Sequence, residues 1–307
     1  MARVFVTGSS DGLGLMAARV LIEQGHDVVL HGRNDNRSRH ALAAAPQAQG
    51  TVTGDLSTIT GARTVADQVN MLGRFDAVIH NAGVGYREGR VEIELGVPSV
   101  FAVNVLAPYI LTALIEKPAR LVYVSSGTHR GVRPRMNDLL WTKRSWSGYS
   151  AYAESKLCDV LLAFSVACRW KDIKSNAVEP GWVATKMGGP SAPDDLHQGC
   201  VTQAWLATSD DELARSTGLC QPRHAPRCAT ADGRSALDQA ILERLFGLCG
   251  EQALRCFARL CRRSPLEGCQ IQCTGTRMGA DEDGRPVSPR RSSTRLCHAG
   301  VARNERG

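Results

Sequence analysis

A glycine-rich turn between two apolar segments constrains this chain most. Val4, Phe5 and Val6 form a short run of strand-forming residues, followed by Thr7, Gly8, Ser9, Ser10, Asp11, Gly12, Leu13 and Gly14. Residues 15–24 then repeat apolar side chains at helical spacing. Strand, glycine turn and helix in that order open a dinucleotide-binding unit. Gly8 permits the tight turn, Gly12 lets the backbone approach a pyrophosphate, and Gly14 lets the helix pack close to the strand. The new helix N-terminus offers free N–H groups and a positive dipole end to phosphate, with Ser10 and Leu13 beside it.

Strand and helix patterns go on alternating, which predicts an α/β, Rossmann-type doubly wound parallel sheet. Residues 27–33 read as the second strand. It ends in Arg33, with no carboxylate before Asp35. An Arg at this place suits a 2′-phosphate, so NADP is preferred; an Arg33 that only stacks on adenine leaves NAD open. Residues 50–56 form a third strand ending in Asp55 and Leu56, where the carboxylate either accepts from the adenine amino group or caps the next helix. Residues 58–72 are helical. Residues 75–80 form a fourth strand, closed by the small residues Asn81, Ala82 and Gly83. A long helix spans residues 98–116 and carries Asn104 among apolar neighbours. That amide is either a satisfied core group or one that disturbs the helix and holds a water near the site. Residues 120–124 form a fifth strand ending in Ser125 and Ser126. The loop after it, of about two dozen residues, is long enough to be functional. Its Trp141 and Trp146 line a substrate pocket or cap the core. Residues 174–179 form the sixth strand, and Pro180, Gly181, Val183 and Thr185 follow in a turn suited to lie beside a ligand. Residues 188–199 are expected to form a mobile lid, residues 194–208 a helix and residues 217–220 an edge strand.

Tyr152 and Lys156 stand four residues apart, on one face of a helix and one turn from each other. A phenol ionises near pH ~10, and an ammonium within ~4–6 Å favours the phenolate. The pair can therefore serve as a proton-transfer device.

Taken together, Thr7, Gly8, Gly12, Gly14, Asp55, Asn81, Ala82, Gly83, Asn104, Ser126, Tyr152, Lys156, Pro180 and Gly181 make the chain resemble the short-chain dehydrogenase/reductase family in its classical branch. The length of the loop after Ser126 and the presence of His129 look like the retinol-dehydrogenase-like members. The resemblance implies an NAD(P)-dependent oxidoreductase that transfers hydride between a nicotinamide and a small-molecule carbonyl or alcohol, acting on CH–OH donors. It implies Tyr152 as acid/base, and Lys156 as the group that lowers the Tyr152 pKa and binds the nicotinamide ribose. Ser126 would hydrogen-bond the substrate oxygen, and Asn104 would hold a water linked to Lys156. It also implies cofactor contacts at residues 81–83 and 180–185, and a homodimer or homotetramer. Two departures stand out: His80 replaces an Asn, and Asp11 lies where NADP-dependent members often carry a basic residue. The alternative function is a nucleotide-sensing binding protein on the same fold.

Composition fits this reading. The chain has 307 residues, 43% hydrophobic, which is enough for one large domain over residues 1–250. It has no apolar run of membrane-spanning length and no leader, so a cytoplasmic protein without membrane partners is expected. Eleven cysteines, an odd number, fit reduced thiols better than a disulfide framework, and their spacing offers no metal site. Residues 251–307 hold 11 Arg against 6 Asp and Glu. That extension is helical at its start and otherwise expected to be disordered, a solvated tail rather than an arm for nucleic acid.

Overall fold

The structure, a computed structural model, describes residues 1–220 apart from 88, 94, 95, 133, 134 and 217. The helix expected over 235–262 and the extension over 251–307 lie outside the described residues. The elements are β1 (Arg3–Val6), α1 (Gly12–Glu23), β2 (Asp27–Gly32), α2 (Asp35–Ala44), β3 (Gly50–Thr53), α3 (Ile59–Met71) and β4 (Ala77–His80). They continue with α4 (Ser99–Phe101), a π turn (Ala102–Leu106), α5 (Ala107–Leu114), β5 (Arg120–Val124), α6 (Gly148–Arg169), β6 (Lys174–Val178), α7 (Leu196–Thr208), α8 (Glu212–Arg215) and β7 (Leu219–Cys220). All seven strands pair in parallel, in the order β3-β2-β1-β4-β5-β6-β7. Strand order reverses between β1 and β4, and the crevice outside those strand ends is where this architecture takes ligands.

Strand periodicity explains the layering. Val4 and Val6 face one core with α1, α2 and α7, while Phe5 between them faces the other with α3, α5 and α6. Val28, Leu30 and Val29 divide in the same way on β2. A sheet buried on both faces needs apolar residues at successive positions, which is why these strands read as continuous runs.

The long helix differs from the sequence expectation in one respect. It opens into a π turn at residues 102–106, where the Ala107 N–H reaches back to the Ala102 carbonyl. Pro108 stands four residues after Asn104. It has no N–H to donate to the Asn104 carbonyl, and its ring crowds that oxygen. A widened turn relieves the crowding, and such turns occur at functional sites. The amide at 104 therefore does sit where the helix is disturbed.

Candidate active site

The site is assembled where β1, β4 and β5 end. Thr7 Oγ1 accepts the N–H groups of Asn81 and Ala82, each at 3.0 Å. Asn81 Nδ2 donates to the carbonyls of Thr7 and Gly8 at 3.1 and 3.2 Å. Two residues expected to touch cofactor thus brace the loops around its place. Gly8 has φ +62°, and a Cβ there would lie 2.7 Å from Ala82 Cα. At Gly14 a Cβ would lie 2.3 Å from Asn81 Nδ2 and 2.6 Å from the Gly8 carbonyl oxygen, so its smallness lets α1 close on the segments that follow β1 and β4. His31, which carries no motif signal, adds a third brace. Its Nδ1 accepts the Gly8 N–H at 3.0 Å and its Nε2 donates to the Gly54 carbonyl at 2.9 Å. Burial lowers its pKa against the opposing pull of Gly54 and Asp55, and the acceptor role at Nδ1 requires the neutral ring.

At the phosphate end, α1 begins after Asp11, which makes no side-chain cap, and its first turn holds no acid. The opening N–H groups are available to an anion. The Asp11 carboxylate meets Arg37 Nη2 at 2.5 Å and Lys186 Nζ at 2.8 Å. Burial pushes its pKa up, but these bonds and charges outweigh burial and lower it. The acid that argued against a 2′-phosphate is therefore covered by two cations, and Arg33, four residues before Arg37, is exposed. Arg37 lies 26 residues from Asp11 and Lys186 lies 175, so neither pairing is readable from spacing. Asp55 Oδ1 accepts the Ser57 N–H at 2.9 Å. The helix cap considered for it belongs instead to Thr58, which accepts from Gly61. Leu56 and Ser10 are buried, and Leu13 packs against the α1 side of the core.

At the catalytic end, Tyr152 and Lys156 are both buried on α6, with Lys156 Nζ 5.9 Å from the Tyr152 ring centroid. Two bonds lace α6 to the end of β5: Lys156 Nζ to the Val124 carbonyl at 2.8 Å, and Ser125 Oγ to the Lys156 carbonyl at 2.7 Å. Ser125 is spent in this contact. Ser126 Oγ accepts from Thr128 N at 3.4 Å and Thr128 Oγ1 at 3.2 Å, which leaves its own proton to donate. Lys156 Nζ also bonds Asp159 Oδ2 at 2.9 Å. Burial pulls the Lys156 pKa down, but Asp159 and Tyr152 raise it more, so the ammonium stays charged. Asn104 Oδ1 accepts the Val84 N–H at 2.8 Å, and its Nδ2 donates to the Val84 carbonyl at 3.1 Å and to Ser155 Oγ at 3.0 Å. Its side chain is a strut between the loop after β4 and α6. A Cβ on Gly83 would lie 3.4 Å from Asn104 Oδ1 and 3.6 Å from Lys156 Nζ, so that loop runs directly beside the ammonium.

Around Tyr152 the surroundings are aromatic. Tyr86 lies 5.7 Å from its ring and 5.6 Å from that of Tyr149, and both neighbours are exposed. Met187 lies against Gly85. Below Ser126, His129 Nδ1 bonds the Ser126 carbonyl at 2.6 Å and faces the buried Glu179 at 3.3 Å; Arg130 pairs with the same carboxylate. The segment over residues 188–199, expected as a mobile lid, is tied through Asp194 to the turn after Pro180. Asp194 Oδ2 accepts the Trp182 N–H at 2.7 Å and the Asp194 N–H returns to the Trp182 carbonyl at 3.0 Å. Gly181 has φ +87°, Val183 is buried, and Thr185 Oγ1 accepts the Gly188 N–H at 3.1 Å. Trp141 and Trp146 pack edge to face and line a pocket together with Pro98, Phe101, Ala151, Ser155 and Cys158. That face of α6 is about 100° around from Tyr152 and Lys156. Among the described residues, no helix is long and apolar enough to cross a membrane.

The family model for short chain dehydrogenases matches residues 2–137. An uncharacterized oxidoreductase of Emericella nidulans is 45% identical over 256 residues, covering 82% of this chain and 96% of that protein. The short-chain dehydrogenase chry4 of Gibberella zeae is 40% identical over 238 residues, covering 76% of this chain and 92% of its own length. The chain belongs to the short-chain dehydrogenase family. A solved short chain dehydrogenase from Salmonella enterica serovar Typhi superposes with a TM-score of 0.57 at 26% identity, covering 73% of this chain and 96% of that one. Family membership makes the chain one of a family of oxidoreductases that bind nicotinamide nucleotides.

Proposed function

We propose that this dehydrogenase is an NADP-preferring carbonyl reductase or alcohol dehydrogenase in which Tyr152 exchanges a proton with the substrate oxygen. The observation that carries the reading is the buried Tyr152–Lys156 pair, laced to the β5 end that bears Ser126. The bound nicotinamide supplies or accepts the hydride. In reduction, Tyr152 gives its phenolic proton to the carbonyl oxygen; in oxidation, its phenolate takes the alcohol proton. Ser126 donates its free proton to the same oxygen and stabilises the charge that develops there. Lys156 favours the phenolate by its charge. Asn104 acts by holding the loop over residues 81–84 against α6.

The residues fit the cofactor. The turn of Gly8, Ser10, Gly12, Leu13 and Gly14 would hold the pyrophosphate at the uncapped α1 N-terminus. Arg33 and Arg37 would hold the 2′-phosphate, with Asp11 already neutralised. Asp55 and Leu56 would meet the adenine, Lys156 the ribose, and Asn81, Ala82, Gly83, Pro180, Gly181, Val183 and Thr185 the nicotinamide end. Tyr86, Tyr149 and Met187 make the entrance apolar, which favours an apolar carbonyl or alcohol.

The test is a panel of aldehydes, ketones, retinoids and steroids assayed with NADPH and NADH. Tyr152→Phe is expected to lower kcat about 1000-fold with NADPH binding preserved. Activity retained in that variant overturns the mechanism. Tight NADPH binding without turnover across the panel favours the nucleotide-sensing alternative.

A further inference from the structure

Lys156 is held by a neighbour that no motif includes. Asp159 lies one turn further along α6, and both side chains are buried, 6% and 3% exposed. Its Oδ2 is 2.9 Å from Lys156 Nζ. An ammonium has three donors. One goes to Asp159 and one to the Val124 carbonyl, which leaves one for the Tyr152 side.

The groups around Asp159 leave Lys156 as its counter-ion. From β5 it faces Tyr123, whose hydroxyl is 2.7 Å from Thr112 Oγ1, with His80 Nε2 3.1 Å from that oxygen. His80 is kept neutral by burial, its pKa pulled down to about 3. On α6 itself lie Cys158, a thiol pushed up by burial, and Glu154, which is paired with Arg144. Burial raises the Asp159 pKa to about 6 against the lowering pull of Lys156, so at neutral pH the carboxylate is ionised.

We propose that Asp159 is a positioning residue for Lys156: it fixes the ammonium and, by its own charge, limits how far Lys156 can strengthen Tyr152 as an acid. The inference rests on the proton-transfer reading of Tyr152. The physical basis is a sum of charges. A lone ammonium beside the phenol favours the phenolate strongly, whereas an ammonium paired with a carboxylate favours it less. Asp159 is seven residues, or roughly 10 Å of helix, beyond Tyr152. At that separation a unit charge in a protein-like dielectric moves a pKa by about one unit.

The experiment follows kcat/KM for alcohol oxidation from pH 5 to 10 in wild type, Asp159→Asn, Asp159→Ser and Asp159→Glu. Removing the carboxylate is expected to move the acid limb about one pH unit lower in the Asn and Ser variants, and the Glu variant is expected to return it towards wild type. Either charge-removing variant answers alone if the other fails to fold. A purely structural role would lower activity at all pH values without moving the limb. Acid limbs that coincide with wild type in the folded variants overturn the inference while leaving the Tyr152 reading intact. Activity retained in Tyr152→Phe overturns both, because the limb then belongs to another group.

Discussion

The two ends of the cleft are built on opposite principles. At the nucleotide end, backbone and neutral side chains set the geometry: Thr7, Asn81 and His31 brace the glycine turn, and the charges of Asp11, Arg33, Arg37 and Lys186 stay at the surface. At the end that holds Tyr152, the charges of Lys156, Asp159, Glu154 and Glu179 are all buried and answered by partners. A steric frame tolerates little change of shape and tunes little chemistry. A buried charge network tolerates isosteric changes and shifts its chemistry with each one.

Three experiments can break that contrast. Gly14→Ala places a Cβ 2.3 Å from Asn81 Nδ2 and 2.6 Å from the Gly8 carbonyl. It is expected to cost about 3 kcal/mol, or roughly 10 °C in Tm, measured by calorimetry. A Tm unchanged within error would show that the nucleotide end is not sterically framed.

Acid pH probes the buried neutral groups. His80 and His31 have folded pKa values below the unfolded value of about 6.5. The unfolded chain therefore takes up their protons first, and stability present above pH 6.5 is lost as pH falls. Each contributes about 1.4 kcal/mol per pH unit down to its folded value. Asp159, raised to about 6, opposes one of them between pH 6 and its unfolded value. Urea unfolding is expected to show a net loss of stability from pH 7 to pH 5, reduced in His80→Asn. A flat profile contradicts burial of neutral imidazoles.

Arg37→Ala sharpens the surface-charge side. It is expected to weaken NADP binding about 10-fold and NAD binding less than 2-fold, read by fluorescence titration. Equal loss for both cofactors would place Arg37 outside any 2′-phosphate contact.

The sheet and its order of elements were legible because each strand carries a continuous apolar run and each crossover helix a helical repeat. The tight turn at Gly8 and the approach of Lys156 to Tyr152 on one helical face were legible because both depend on local spacing. Asp159 was also within reach, since an acid three residues after a lysine shares its helical face. Other features were harder to read. The π turn needed Pro108 to be read against the Asn104 carbonyl. Ser125 and Ser126 look alike until one is seen bonded to the Lys156 carbonyl. The two tryptophans of the long loop could be placed against a face of α6 only once the loop was seen folded.

Sequence alone determined the fold, the family resemblance and the placing of Tyr152 and Lys156 on one helical face, because those depend on periodicity and short spacing along one element. Tertiary structure alone decided which polar groups are consumed as braces, which charges cancel, and which cations cover Asp11. Those outcomes depend on distances between residues far apart in the chain, and electrostatic energy follows distance in space, not separation in sequence.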